Sequence, residues 1–516
     1  MNEEVTTLPV EVTPTYLPHV AKGAMINMIG AVSRTVLLYT YTLVLARTLS
    51  ASDLGAYFLM FTIMNIMGLV ATVGLDFGVV RFVSLHDGEG RYGLVRKTLS
   101  AGLLLGVACG VIAAVGVIFL APSLKSILFE DNQEGVMALR IFAISIPFWV
   151  AARLYNASTQ GLHRMQYQVY SRDMGEQFSK LTLSVGAIAM GLGIVGVVWA
   201  NVASVLIALV MSMFFTYRVL PRPAGGTEEK ARLADPAKTM YRYSFPLAFS
   251  NILGMALIWS DTLLMGYLGT SADVGFYGAA LRVGSTFSAT ILLAFITVFQ
   301  PVISDLCNRH QMEELRSMFK IVTRWMFFCS YPVFLLLVIF ADPVMRLFGS
   351  DFSVGSGALV ILAIGQLVNA STGASGMMVV MSGRSQMELV NVSVALVINT
   401  VMCFLLIPGH GVIGAAIANM SALSVINLMR MAEVWIFMRI HAYKLSDVKP
   451  FIAGTASALV LVLINRYLIV GNSIAIAAVL AVVFGVMYIS MNLAMGLDDQ
   501  DQIVLRLAKK RLLNMT

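Results

Sequence analysis

Four basic side chains stand within long apolar stretches of the sequence, where an ionised group is costly unless it has a partner or a function. They are Arg34, Arg153, Lys180 and Arg282. An arginine fork binds phosphate oxygens in pairs, and a lysine attracts them as a point charge. The four residues are therefore predicted to line a cavity that holds an anionic group such as a phosphate.

Four acidic side chains also lie in apolar stretches. They are Asp76, Asp173, Glu176 and Asp261. A carboxylate at membrane depth can carry a proton or bind sodium, so these residues are candidates for energy coupling. A structural interpretation competes with this one, because Asp173 and Glu176 could instead form ion pairs with Arg153 or Lys180. The identity of the coupling ion, H+ or Na+, is left open.

Other charged residues favour structural roles. Arg81 and Arg172 lie close to the ends of apolar stretches and are predicted to anchor helices at the membrane interface. Arg430 and Glu433 are three residues apart, which predicts a local ion pair on one helix face. No spacing of histidine, cysteine or acidic residues matches a metal site, and no cofactor is predicted.

Three prolines interrupt apolar stretches and are hinge candidates: Pro147, Pro246 and Pro332. Proline lacks the backbone donor that an α-helix requires, so it permits a kink.

The stretches that position these residues are membrane spans. Of the 516 residues, 58% are hydrophobic and 12% are charged, whereas soluble proteins carry about 25% charged residues. A spanning helix needs about 20 apolar residues, and about fourteen such runs predict an all-α polytopic membrane protein. They cover residues 22–48, 54–82, 97–121, 136–161, 167–191, 194–217, 244–267, 274–301, 317–341, 356–381, 386–407, 412–438, 449–469 and 472–495.

The net charge of +7 is explained by the connections between spans. Basic residues concentrate in alternate connections, such as Arg96 and Lys97 or Arg439 and Lys444. Because cytoplasmic loops carry the excess of lysine and arginine, both termini are predicted to be cytoplasmic. Binding of nucleic acid is not needed to explain the positive charge.

The sequence contains an internal repeat. The segment SDLGAY at 52–57 recurs as ADVGFY at 272–277, and GIVG at 193–196 recurs as GVIG at 411–414. This repeat predicts two lobes of six helices, at 21–220 and 243–440, related by a parallel pseudo-twofold axis. The remaining predicted parts are a cytoplasmic tail at 1–20, a linker at 221–242, two extra helices at 445–497 and a basic tail at 498–516.

Several motifs resemble those of a known family. They include GLDFGVVRFVS at 74–84, SDTLLMGYLG at 260–269 and IPGHGVIGAAIAN at 407–419. The chain resembles the polysaccharide flippases of the MOP superfamily, which are relatives of the MATE exporters, and above all the Wzx-like flippases of lipid-linked oligosaccharides.

This resemblance implies transport of an undecaprenyl-pyrophosphate-linked sugar unit from the cytoplasmic to the periplasmic leaflet, by alternating access and without ATP hydrolysis. The unit would be an O-antigen, capsule or exopolysaccharide repeat in a bacterial inner membrane. A polysaccharide polymerase and a chain-length regulator are the implied partners. A monomer is sufficient, since one repeat pair can enclose a pathway.

Two other functions are weighed against this one. A MATE-type exporter of cationic drugs is disfavoured by the excess of basic over acidic groups at membrane depth. An integral-membrane glycosyltransferase or polymerase would require a sizeable catalytic loop, and the sequence between the spans contains none. The sequence therefore predicts a transporter and not an enzyme.

Overall fold

The computed structural model describes residues 17–129, 133–220, 236–309, 311–441, 443, 448–467 and 474–496. The regular structure within these ranges is helical and includes no β-strand. Nine of the described helices are long and apolar enough to cross a membrane. The predicted all-α membrane architecture is confirmed, whereas the count of fourteen spans stays a prediction. The basic tail, most of the linker and most of the N-terminal tail lie outside the described residues.

The N-terminal half of the chain consists of helices that run back and forth along one axis. Its helices are α1 Leu17–Thr48, α2 Ala51–Thr72, α3 Leu75–Gly88, α4 Tyr92–Leu120, α5 Lys125–Leu128, α6 Gln133–Ala143, α7 Ser145–Gly161, α8 Gln166–Gln168, a π-helix Val169–Glu176, α9 Gln177–Ala189 and α10 Gly193–Val219. We call the end at which α1 begins the basic end, since the basic connections are there, and the end at which α1 finishes the far end.

The C-terminal half repeats this course and adds two helices. Its helices are α11 Pro236–Leu268, α12 Ser271–Asn308, α13 Met312–Ile339, α14 Ala341–Arg346, a 3-10 helix Ser350–Gly355, α15 Ser356–Ser371, α16 Ser375–Met381, α17 Ser385–Met438, α18 Val448–Tyr467 and α19 Ile474–Ala494. In lipid, a helix satisfies its own backbone hydrogen bonds, so long apolar runs adopt this form.

One of the three predicted proline positions coincides with a helix break. Helix α6 ends at Ala143 and α7 begins at Ser145, just before Pro147. The break fits the chemistry, because proline cannot donate to the carbonyl four residues earlier, which is that of Ala143. Helix α13 continues through Pro332, and α11 is helical through position 246. The hinge role of these prolines stays a prediction.

The structure breaks the helices at other places that the sequence analysis did not single out. Val73 and Gly74 have φ of 47° and 69° and separate α2 from α3 within one predicted span. Gly411, with φ of 51°, turns α17 into two antiparallel arms. The π-helix Val169–Glu176 lies inside the predicted fifth span. Such π-helical turns occur frequently at functional sites.

The two halves cross at the far end through glycines. An added Cβ on Gly55 of α2 would lie 1.7 Å from the carbonyl oxygen of Ser271, and one on Gly275 of α12 would lie 2.3 Å from that of Ala51. These contacts are reciprocal, since Gly275 and Ser271 follow Gly55 and Ala51 by the repeat offset of 220. Only residues without a side chain allow the two backbones to approach so closely.

Further contacts hold the far end together. Each crossing helix starts with its own cap, because Ser50 accepts from the backbone N–H of Asp53 and Thr270 accepts from that of Asp273. Arg47 of α1 donates to the carbonyl oxygen of Leu347 in the other half at 2.6 Å. The far end of the bundle is therefore closed in this conformation.

Candidate functional site

A cavity of about 400 Å³ lies between α3, α7 and the π-helix, with one wall from α11. We call it the basic cavity; its lining residues are Asp76, Phe77, Val80, Arg81, Arg153, Asn156, Ala157, Gln160, Gln168, Arg172 and Tyr243. The kink before α7, the break before α3 and the π-helix all lie in the elements that form it. Irregular backbone at membrane depth is tolerated where it lines such a cavity.

Arg153 is the central cation of the basic cavity. Its Nε and Nη2 atoms donate to Oδ2 of Asp76 at 2.9 and 2.7 Å. The guanidinium lies 5.3 Å from the centroid of the Trp149 ring. Oδ1 of Asp76 is buried and has no hydrogen-bond partner within the described part of the chain. Arg153 is therefore held in place by Asp76, and only one of the two oxygens of that carboxylate accepts a hydrogen bond.

Arg34 forms a second ion pair near this cavity. Its Nη1 lies 3.3 Å from Oδ1 of Asp173, and its side chain is 37% exposed. One alternative predicted from the sequence is an ion pair of Asp173 with Arg153 or Lys180. In the structure, Asp173 instead pairs with Arg34, and Arg153 pairs with Asp76. Two of the predicted coupling acids are thus neutralised by two of the predicted binding cations.

The structure also brings Arg81 and Arg172 into the basic cavity, against their predicted role as interface anchors. The guanidinium of Arg81 lies 4.2 Å from the centroid of the Tyr243 ring, which belongs to α11. Arg172 interacts electrostatically with Asp173 and Glu176, beside it in the π-helix. A π-helix shifts the register of the residues that follow it. The sequence periodicity of 3.6 therefore does not reveal which face these residues occupy.

Lys180 and Arg282 form a separate pair of cations around aromatic rings. The Lys180 ammonium lies 5.6 Å from the ring centroid of Tyr41 and 5.1 Å from that of Phe61. Only 2% of the residue is exposed, and no carboxylate of the described residues forms a salt bridge with it. Cation–π contacts of this kind stabilise a desolvated ammonium.

Arg282 reaches the same aromatic group from the C-terminal half. Its guanidinium lies 3.6 Å from the ring centroid of Phe58 and donates to the carbonyl oxygen of Gly278 at 3.1 Å. It interacts electrostatically with Tyr41 and Tyr57. The four predicted cations therefore form two groups, Arg34 with Arg153 and Lys180 with Arg282.

The two remaining acids have different surroundings. Glu176 interacts electrostatically with Lys180, one turn further along the chain. Asp261 is fully buried in the C-terminal half and accepts hydrogen bonds from the Tyr277 hydroxyl at 2.5 Å, the Asn419 amide at 2.8 Å and the backbone N–H of Thr262 at 2.7 Å. Its hydrogen-bond partners are all neutral.

Each half contains a buried polar core with the same Asn–Tyr pair, but the charged residue beside this pair differs in sign between the halves. Asn201 donates to the Tyr57 hydroxyl at 3.1 Å, and the equivalent residues of the second half are Asn419 and Tyr277. At the equivalent of Asp261 the first half has Tyr41. Beside that Tyr41 lies the Lys180 ammonium, 5.6 Å from the ring centroid. The first core thus contains a cation and the second an anion.

The predicted pairing of Arg430 with Glu433 is wrong. Arg430 instead forms an ion pair with Glu388, and Glu433 accepts a hydrogen bond from the Asn391 amide at 2.9 Å. The turn at Gly411 places the two arms of α17 side by side, so contacts between the arms replace the local pair. An i,i+3 pair on an isolated helix contributes only about 0.2–0.5 kcal/mol and is readily displaced.

Comparisons with known proteins agree with this architecture. The model of a family described as polysaccharide biosynthesis protein matches residues 44–355. The probable low-salt glycan biosynthesis flippase Agl15 of Haloferax volcanii is 22% identical over 384 residues, which are 72% of this chain and 75% of that protein. The succinoglycan biosynthesis transport protein ExoT of Rhizobium meliloti is 24% identical over 328 residues, 62% of this chain and 61% of that protein.

Two solved structures have a similar fold. The lipid II flippase MurJ, in an inward closed conformation, has a TM-score of 0.71 at 14% identity and covers 90% of this chain and 97% of its own. An inward-facing multidrug resistance MATE family transporter of the MOP superfamily has a TM-score of 0.63 at 16% identity. The match covers 80% of this chain and 99% of that transporter. The predicted resemblance is confirmed: with a family match over more than half of its length, this chain belongs to the polysaccharide biosynthesis protein family and has the fold of MOP-superfamily transporters.

Proposed function

We propose that this protein is a flippase that moves an anionic, lipid-linked glycan precursor across the membrane by alternating access. Its relatives are named as a glycan biosynthesis flippase and a succinoglycan transport protein, which supports a transporter and not an enzyme. The observation that carries the proposal is the group of cations at membrane depth. The substrate class implied by the family resemblance, an undecaprenyl-pyrophosphate-linked oligosaccharide, combines an anionic group with a long apolar tail.

The charge balance of the N-terminal half suits this substrate. Among the described residues of the N-terminal half, the basic cavity, the adjacent Arg34–Asp173 pair and the deeper Lys180 with Glu176 together have five cations and three acids. They are Arg34, Arg81, Arg153, Arg172 and Lys180, and Asp76, Asp173 and Glu176. The excess of two positive charges matches the charge of about two on a pyrophosphate diester. In a site of low dielectric such an excess attracts an anion far more strongly than it would in water.

Binding of pyrophosphate would rearrange the two ion pairs. The forks of Arg153 and Arg34 already face single carboxylates, and a phosphate offers each of them several oxygens in bidentate geometry. Asp76 and Asp173 would then lose part of their counter-charge. Lys180 and Arg282, deeper in the bundle, provide a second cationic position along the route. The headgroup would pass between these two groups while the lipid tail stays in the bilayer.

The direction of transport follows from the orientation that we infer. With the basic end in the cytoplasm, as the distribution of lysine and arginine favours, both termini are cytoplasmic. The closed far end then faces the periplasm, and the described conformation would load substrate from the cytoplasmic leaflet. Separation of the glycine crossing would expose the route to the opposite side. The corresponding membrane is the bacterial inner membrane.

For energy coupling we favour Asp261 over the other acids. Asp76 and Asp173 are held in ion pairs, so their protonation would leave Arg153 and Arg34 without their counter-charges. Asp261 has only neutral partners, and binding of H+ or Na+ would cancel its charge without this cost. We also propose a polymerase and a chain-length regulator as partners, on the basis of the family resemblance. A functional monomer is proposed because one repeat pair can enclose a pathway.

The test is a flipping assay in proteoliposomes with several lipid-linked oligosaccharides and with imposed proton and sodium gradients. Arg34→Ala and Arg153→Ala are expected to lower the initial rate at least about tenfold, since each removes a charge-assisted contact to phosphate. The matched control is Arg218→Ala, at an exposed position of α10.

Three results would contradict the proposal. Unchanged rates in both cavity variants would remove the basic cavity from the pathway. Efflux of ethidium without flipping would indicate a cation exporter. Release of nucleotide or polymerised glycan by the purified protein would indicate an enzyme.

A further inference from the structure

A groove outside the basic cavity lies between α13 and the two C-terminal helices. It consists of two hollows of about 310 and 40 Å³, one on each side of Arg324. The larger hollow is lined by the aromatic side chains of Phe327, Tyr443 and Phe451. We call the two hollows together the α13–α18 groove. Because α18 and α19 have no counterpart in the repeat, this groove belongs to neither of the duplicated halves.

The groove lies where three helices pass from polar to apolar sequence. In α13 the last basic residue is Arg324, and an uncharged run follows from Trp325 to the end of the helix. Helix α18 begins at Val448 with Lys449 beside it, and α19 ends near Gly496. All three transitions are at the basic end. Basic and aromatic residues at such a transition mark the level of lipid headgroups.

The smaller hollow offers donors for an anion. Lys449 lines it, and its Nζ donates to the carbonyl oxygen of Gly496 at 2.9 Å, leaving further ammonium hydrogens available. Trp325 lines the same hollow, and its buried indole N–H has no hydrogen-bond partner among the described residues. The first turn of α18 adds the positive end of a 20-residue helix. Arg324 supplies a planar guanidinium suited to phosphate oxygens.

The surroundings of these donors are apolar and face outward. Val448, Phe451 and Ile452 of α18 are each about half-exposed on the surface of the bundle. An anion bound beside them would be in contact with hydrocarbon, which suits a phosphate that carries acyl chains and not a free phosphate ion. Basic pockets between membrane helices on the cytoplasmic side are known to bind lipid headgroups.

We propose that the α13–α18 groove binds the phosphate group of an anionic phospholipid, with Arg324 and Lys449 as its cationic contacts. The bound lipid would fasten α18 and α19 to α13 and is distinct from the transported substrate. This site does not depend on the proposed function.

The test measures lipid binding to the purified full-length protein by native mass spectrometry, with phosphatidylglycerol and phosphatidylcholine of identical acyl chains as the probes. Phosphatidylglycerol is expected to bind more tightly to the wild-type protein. The double variant Arg324→Gln/Lys449→Gln is expected to weaken its binding about 30-fold, since each cation near an anionic lipid contributes a factor of about five. Trp325→Phe, which keeps the ring and removes the N–H, is expected to weaken it about fivefold.

The matched control is Lys97→Gln/Arg218→Gln, which removes two exposed charges at the basic end of the other half. It is expected to bind phosphatidylglycerol like the wild type. Equal binding of the two lipids to the wild-type protein would overturn the proposal whether or not the variants fold. The same holds if the control loses as much binding as the groove variant, or if glycerol phosphate at the same concentration displaces the lipid.

Discussion

Replacing Gly55 with alanine should open the far end of the bundle. The added Cβ would lie 1.7 Å from the carbonyl oxygen of Ser271, and an ordinary contact begins at 3.4 Å, so the two backbones must separate by about 1.7 Å. The clash involves backbone on both sides and no rotamer change relieves it. Overpacking costs about 1–3 kcal/mol, which shifts a two-state equilibrium about 5- to 150-fold.

The change can be measured as a distance between the halves. Spin labels at Glu134 of α6 and Asp351 of the 3-10 helix occupy exposed far-end positions in opposite halves. In a background without the native cysteines, double electron–electron resonance would report one short distance for the closed far end. The Gly55→Ala protein should show a second, longer distance with a population raised by the factor given above. Gly275→Ala should act in the same way, because it enters the same reciprocal contact.

The control is Gly116→Ala in α4, where nothing lies within 4 Å of an added Cβ. This change should leave the distances unaltered, and it should stabilise the helix slightly, since alanine is a better helix former than glycine. The reasoning is refuted if Gly55→Ala gives the wild-type distance distribution while the protein remains folded. It is also refuted if Gly116→Ala causes the same opening.

Arg153→Ala should lower the free energy of unfolding by about 3 kcal/mol, because Asp76 is left as an unpaired buried carboxylate. Adding Asp76→Asn should restore most of this lost stability, and equal thermal stability of the single and double variants would disprove the pairing. Lys180→Met should preserve thermal stability, since methionine is apolar and similar in length to lysine, but it should lower the flipping rate at least about tenfold. Full flipping activity of this variant would show that the Lys180 ammonium does not contact the substrate. Asp261→Asn should still bind the lipid-linked glycan, but its flipping rate should no longer respond to an imposed proton or sodium gradient. A gradient response equal to that of the wild type would assign coupling to another group.

The candidate site was only partly predictable from sequence. Arg153 and Arg34 were recognised because a charge inside an apolar run is conspicuous. The position of Arg172 near the end of its apolar run predicts an interface anchor, whereas the structure places it in the lining of the basic cavity. The π-helix at Val169–Glu176 changes which face of the helix Arg172 occupies, and a periodicity of 3.6 residues does not reveal this change. Its three charges within one apolar stretch were the available hint.

The choice of ion-pair partners also lay beyond the sequence. Asp76 and Arg153 are 77 residues apart, and Arg34 and Asp173 are 139 residues apart. Such pairs depend on how helices pack side by side, and hydrophobic periodicity describes one helix at a time. The local pairing expected for Arg430 failed for this reason, because the antiparallel arm of α17 brought Glu388 closer.

By itself, the amino-acid sequence determined that this protein lies in a membrane, that it is helical and that it resembles the polysaccharide flippases. These properties follow from composition, run length and motifs, each of which is read along the chain. Only the tertiary structure decided which charges neutralise one another, that Arg81 and Arg172 line the basic cavity, and that Gly55 and Gly275 close the far end. Those outcomes depend on distances between helices that are remote in sequence. A close backbone approach or a neighbouring counter-charge exists only once these helices have packed together.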